Sequence, residues 1–162
     1  MYEMRRKQKE VTDRKWMEDI LKRGQFMHLA MVGADGLPYV VPIGYGYKDG
    51  VLYMHGAPEG RKNDILAVNP KVCFQVTLDA EVQADKVGAK FTMKYRSVTG
   101  FGAVHSLTDT NERNTALKII MEHYGYGESH ADIPENDEAH KKLWVARLDI
   151  ESMAGKRGVY TD

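Results

Sequence analysis

The sequence contains one cysteine, Cys73, in 162 residues, which excludes an intramolecular disulfide framework. Neither charge is in surplus: 23 Lys and Arg face 23 Asp and Glu. No overall field therefore draws the chain to nucleic acid or to an anionic membrane, and any anion site must be built locally. No apolar run approaches the roughly 20 residues that span a bilayer. The first residues carry Arg5, Arg6, Lys7 and Lys9 where a secretory signal needs an apolar core, so the expected location is cytoplasmic. That basic stretch also lacks interleaved aromatics, which argues against a nucleic-acid arm. Residues 1–11 are expected to form an N-terminal arm, loose or laid across a partner. His123, His130 and His140 lack a tight metal-ligand spacing, and His28 and His105 fall in strand-like runs as packing or surface residues. No metal site is expected. Cys73 sits in an apolar run with nothing to lower its pKa, and reads as a small buried side chain.

With 43% hydrophobic residues, 1–162 can bury one core, and a single domain is expected. Asp13 can cap a helix over 13–23 whose Trp16, Met17, Ile20 and Leu21 share a face, with Gly24 at its end. Apolar runs at 26–31, 39–43 and 51–55 are then separated by Asp35-Gly36 and Asp49-Gly50, the signature of an antiparallel meander. Proline is scarce, so Pro42 inside a strand is informative: it implies an edge, a bulge or backbone turned toward a ligand. A short helix over 61–68 closes at Asn69-Pro70 before a strand over 72–78. Residues 79–90 read as a polar loop, 91–107 as strand with Gly100 and Gly102 as bulge points, and 126–137 as loop. Asp109 and Glu112 have capping-box spacing ahead of a helix carrying Leu117, Ile120, Met121 and Tyr124, and 143–150 alternates as a closing strand. Strands and helices do not alternate regularly enough for a doubly wound sheet; a mainly β fold, an antiparallel barrel with peripheral helices, is expected.

The stretch from Tyr53 to Lys62 is the most informative for function. A strand ends at His55, a turn follows through Gly56, Ala57 and Gly60, and Arg61 and Lys62 open a helix. Two cations at a helix N-terminus oppose its dipole by roughly 0.3–1 kcal/mol each when exposed. A bound anion would reverse that sign, and free N–H groups, a glycine and a guanidinium suit a phosphate monoester. A solvated turn whose basic pair meets Asp64 or Glu59 explains the residues equally well.

Gly60-Arg61-Lys62 followed by Asn69-Pro70, Lys71-Val72 and a β run resembles the phosphate-binding segment of the FMN-binding split-barrel superfamily of pyridoxamine-phosphate-oxidase-like proteins. Met4-Arg5-Arg6, the block from Asp35 to Pro42 and that from Tyr95 to Gly100 are similar to its nitroimidazole-resistance branch. The resemblance implies an antiparallel split β-barrel, FMN, and a homodimer with the flavin at its interface. It implies that Arg61 and Lys62 bind the flavin phosphate, with Ser97 as a further contact. Val40, Val41, Pro42 and Ile43 would present backbone to the isoalloxazine edge, and Gly56 and Ala57 would leave room for the cofactor. Tyr95 and Trp144 would approach from the neighbouring subunit, although Trp144 reads equally well as a core residue. His55 would lie near the reactive flavin face as proton donor to a reduced substrate.

The implied activity is transfer of electrons from a nicotinamide donor to a small acceptor such as a nitroaromatic. A flavin sensor or store without turnover is the alternative, as is a split barrel holding heme or a deazaflavin. The segment from Gly155 to Asp162 lacks the Arg-x-His motif with which true pyridoxamine-phosphate oxidases grip substrate, so vitamin B6 oxidation is not expected.

Overall fold

The computed structural model describes residues 4–126 and 142–158. Its strands are Glu10–Val11 (β1), Phe26–Val32 (β2), Pro38–Gly44 (β3), Gly46–Lys48 (β4), Val51–Gly56 (β5), Lys71–Gln83 (β6), Thr92–Ser106 (β7) and Trp144–Arg157 (β8). Helices occupy Arg14–Arg23 (α1), Arg61–Val68 (α2) and Thr110–His123 (α3). Every pairing is antiparallel, in the order β3-β2-β6-β7-β8-β5-β4, with β1 added to β8. The two ends of this path, β3 and β4, are separated in the chain by Tyr45 alone. The ends of the sheet must therefore meet, and the sheet curls into a barrel. No ladder among the described strands joins β3 to β4 or β5, so the barrel is split along that seam. The fold is an antiparallel split β-barrel with helices packed on it.

Two-residue alternation supplies the core: Met27, Leu29 and Met31 of β2, Leu52 and Met54 of β5, and Val72, Phe74 and Val76 of β6 all point inward. Helix α1 adds Met17, Ile20 and Leu21. Its N-cap is Asp13, whose carboxylate accepts from the Lys15 N–H at 2.9 Å. Helix α3 buries Ala116, Leu117 and Ile120 in a smaller cluster with Leu107 and Val145. It starts where its spacing places it, the Asp109 carboxylate accepting from the N–H groups of Asn111 and Glu112.

Two strands run longer than their side-chain patterns indicate. The expected loop at 79–90 is strand as far as Gln83, because β6 continues alongside β7 after a bulge between Leu78 and Glu81. Both faces there meet solvent, so no alternation marks it; the backbone ladder, in which Glu81 stands opposite Lys94, holds it. The closing strand likewise extends to Arg157, paired with β7 from Ser106 back to Arg96, with a bulge between Phe101 and Gly102. The basic arm is partly tied down: a single 3₁₀ turn, Lys7–Lys9, leads into β1, whose Glu10 and Val11 pair with Lys156 and Gly155. His130, His140 and most of the loop expected at 126–137 lie outside the described residues.

Candidate functional site: the mouth of the second helix

Strand β5 ends at Gly56, the chain turns through Ala57 to Gly60, and α2 begins at Arg61. Gly60 holds φ +118°, a backbone conformation that favours glycine, and it caps the helix with no side-chain hydrogen bond. Its carbonyl accepts from the N–H groups of Asn63 and Asp64 at 2.8 and 3.2 Å. The first-turn N–H groups of Arg61 and Lys62 consequently face outward at the positive end of the helix dipole.

The two cations diverge from that point. Arg61 is exposed and lays its guanidinium over the Tyr39 ring, 4.9 Å from the centroid. Lys62 is half-buried, with Nζ 3.4 Å from the centroid of the Trp144 ring. Burial lowers the Lys62 pKa to about 8, because the charged form loses hydration. Among the described residues no carboxylate pairs with Lys62; its Nζ donates to the Asn63 side-chain carbonyl. Asn63 in turn donates to the Ala57 carbonyl at 2.9 Å, fixing the turn. Trp144 is oriented by Nε1–H donating to Ser106 Oγ at 2.9 Å. Register explains the meeting: Gly56 pairs with Trp144 across β5 and β8, and a Cβ on Gly56 would stand 3.8 Å from Lys62 Nζ. That is ordinary van der Waals contact, so Gly56 lies beside the ammonium and the indole without a clash that demands glycine.

Among the described residues, strand β3 has a hydrogen-bonded neighbour strand on one side only. Its register with β2 is unbroken across Pro42, which lacks an N–H, so Pro42 must turn its nitrogen to the open seam. Val40, two residues away, presents its N–H and C=O on the same side. The side chains of Val41 and Ile43 pack on the core, while Val40 is 56% exposed.

The remaining expected residues lie elsewhere. His55 is exposed and pairs with Val145; alternation turns it to the sheet face opposite Gly56, Trp144 and the Lys62 ammonium. Ser97 is 5% exposed, with its hydroxyl donating to the Lys156 carbonyl at 3.4 Å. Ser97 pairs with Lys156, far down β8 from Trp144, roughly 40 Å along the strand at about 3.3 Å per residue. Tyr95, whose carbonyl accepts from Gly158 N–H at 2.8 Å, lies at the same far end. One chain therefore gathers Arg61, Lys62, Gly56, Ala57 and Trp144 and leaves Tyr95 and Ser97 apart. Two members were missed in the sequence: Tyr39, brought to Arg61 only by barrel closure, and Asn63, whose place in the first turn after a glycine was the available signal. Cys73 is half-buried, and burial pushes its thiol pKa up, away from nucleophilic use.

A split barrel with an uncapped, basic helix mouth beside its seam defines a class of small β-barrel proteins. Residues 13–157 match the pyridoxamine 5'-phosphate oxidase family, and the chain belongs to that family. It is similar to the crystal structure of a candidate 5-nitroimidazole antibiotic resistance protein from Bacteroides thetaiotaomicron VPI-5482. The identity is 28% over 92% of this chain and 86% of that one, with a TM-score of 0.80. The flavocytochrome Anf3 of Azotobacter vinelandii shares the fold at 22% identity over 99% of this chain and 73% of that one, TM-score 0.84. A FAD-binding protein from Mesorhizobium loti is 25% identical over 91% of this chain and 96% of its own, TM-score 0.64. No curated protein matches the chain.

Proposed function

We propose that the chain binds FMN, with the flavin phosphate at the mouth of α2, and passes electrons from a nicotinamide donor to a small acceptor such as a nitroaromatic. The observation that carries this reading is Lys62: a half-buried ammonium with no carboxylate partner among the described residues, held over Trp144 at an uncapped helix start. A phosphate dianion there meets Lys62, Arg61 and two backbone N–H groups, and offsets the desolvation that now disfavours the lysine charge. Family membership and the likeness to the nitroimidazole-resistance structure support the same reading.

The open backbone of Val40 and Pro42 suits the polar edge of a planar ring system, Val40 offering both a donor and an acceptor. When bound, the flavin supplies the electron transfer; the protein supplies orientation and electrostatics. His55 is the proposed proton donor to the reduced acceptor. Since it faces away from Trp144, the role demands an acceptor seated over the end of β5.

The proposal includes a homodimer. Val40, Ala30, Cys73 and Phe101 lie in one cross-strand row over four strands, and Val40 and Phe101 are 56% and 40% exposed. An apolar row of this kind suits burial against a second copy. A second copy would also bring Tyr95 to a site its own chain cannot reach. Ser97 could join only if its hydroxyl left the Lys156 carbonyl.

The test is the visible spectrum of the purified protein, followed by flavin titration of variants. A flavin spectrum is expected, with Lys62→Ala weakening FMN binding by about ten- to a hundredfold, the size of a lost charge-assisted contact. His55→Gln should leave binding intact and slow NAD(P)H-driven reduction of a nitroaromatic. Equal flavin loss in both variants would defeat the division of roles. Bound flavin that is never reduced by a nicotinamide donor would mark a store or sensor. A heme or deazaflavin spectrum, or a colourless protein that takes up no flavin, would overturn the proposal.

A further inference from the structure

The Lys62 amine has the attributes of a nucleophile as well as those of a phosphate partner. Its Nζ is held in one place, 3.4 Å from the centroid of the Trp144 ring and donating to the Asn63 side-chain carbonyl. Among the described residues no carboxylate pairs with it, and loss of hydration lowers its pKa to about 8. At about pH 7 the uncharged amine is then present in about one molecule in ten, against about three in ten thousand for a lysine at 10.5. Beside it the first-turn N–H groups of α2 and the exposed Arg61 guanidinium offer a dock for a phosphate.

We propose that Lys62 of the flavin-free protein is an acylation site for acyl phosphates, small anions that carry their own reactive acyl carbon. The inference rests on the phosphate half of the reading above and adds a regulation of that site. Phosphorus and acyl carbon share one bridging oxygen, so a reagent docked by its phosphate delivers the carbon to the adjacent amine, and a bimolecular encounter becomes a local one. The Nζ lone pair forms the N–C bond. The bond from carbon to the bridging oxygen breaks, and its electron pair leaves with the phosphate, which takes the proton lost by nitrogen and departs as hydrogen phosphate. Nothing is oxidised or reduced. A docked dianion also draws the amine toward its charged form; even a full return to 10.5 would cost only about three-hundredfold in uncharged amine. Effective molarities of well-oriented groups reach about 10⁵ M and more, so confinement outweighs that loss. The product has no ammonium for a phosphate to meet and no cation over Trp144. Bound FMN covers the same dock, so only the empty protein is modified, and modification keeps it empty.

Flavin-free protein is incubated with acetyl phosphate, and acetylation of Lys62 is followed by peptide mass spectrometry, with the exposed Lys22 and Lys71 as internal references. Parallel reactions use FMN-saturated protein, Arg61→Ala, and N-hydroxysuccinimidyl acetate, an acetyl donor without charge. With acetyl phosphate, Lys62 is expected to react at least about tenfold faster than the references, and FMN saturation should abolish that advantage. Arg61→Ala should slow the acetyl phosphate reaction at Lys62 by about tenfold and leave the reaction with the uncharged donor unchanged. Protein acetylated at Lys62 should bind FMN about ten- to a hundredfold more weakly. A Lys62 rate equal to that of the references, in protein that binds FMN, would overturn the inference and leave the flavin reading standing. So would an acetyl phosphate rate unchanged in Arg61→Ala, because the amine alone would then account for the reaction. Selective, Arg61-dependent acetylation in a protein that takes up no flavin would support the modification site and sink the flavin reading. Neither flavin uptake nor selective acetylation would sink both.

Discussion

FMN affinity should fall by about tenfold between about pH 7 and about pH 9, because the proposed phosphate partner loses its proton in that interval. Burial lowers the Lys62 pKa from 10.5 to about 8 in the free protein. A bound dianion favours the ammonium and raises that value, so binding takes up a proton once the free lysine is neutral. The sign follows: affinity is full below about 8 and is lost as pH rises through it. With that midpoint, the protonated fraction falls from about nine-tenths at about pH 7 to about one-tenth at about pH 9, equivalent to about 1.4 kcal/mol. Below about pH 6 the phosphate itself protonates and affinity falls again. Quenching of flavin fluorescence during titration reads the effect. Riboflavin, which has no phosphate, should show no comparable loss over the same interval. Lys62→Arg, permanently charged, should bind FMN with the slope abolished. An affinity unchanged between the two pH values, or a slope that persists in Lys62→Arg, would refute the reasoning.

Two further substitutions test the frame that presents this site. In Gly102→Ala the new Cβ would stand 2.1 Å from the Asp149 carbonyl oxygen, a backbone atom at the β7–β8 bulge; a loss of about 1–3 kcal/mol should appear as a lower Tm. Asp109→Ala removes the acceptor of two N–H groups at the start of α3 and should cost about 1 kcal/mol in urea unfolding with an unchanged m-value. Stability equal to that of the parent protein in either variant would contradict the contacts assigned to that residue.

Legibility in the sequence followed the source of each structural feature. Helices α1 and α3 were readable because Asp13 and Asp109 announce their starts and one apolar face fixes their period. The strands β2, β3 and β5 were readable from apolar runs divided by Asp-Gly turns. The outer part of β6 was not, because Glu81 and Gln83 are held by a ladder to β7 rather than by burial, and neither face carries an apolar pattern. The far half of β8 was hidden for a related reason: its side chains from Glu151 onward are mostly exposed or half-buried, and its extent is set by β7. At the site, Arg61 and Lys62 stood out because cations are misplaced at a helix start. Their partners did not, since Tyr39 reaches Arg61 by barrel closure and Trp144 reaches Lys62 through the β5–β8 register. Register also determines that His55 and Gly56, adjacent in sequence, face opposite ways.

The most direct test follows the backbone amides of ¹⁵N-labelled protein while FMN is added. The account predicts that the resonances of Arg61 and Lys62 move strongly and saturate together, because their N–H groups face the bound phosphate. Flavin binding that leaves both amides unmoved would contradict it.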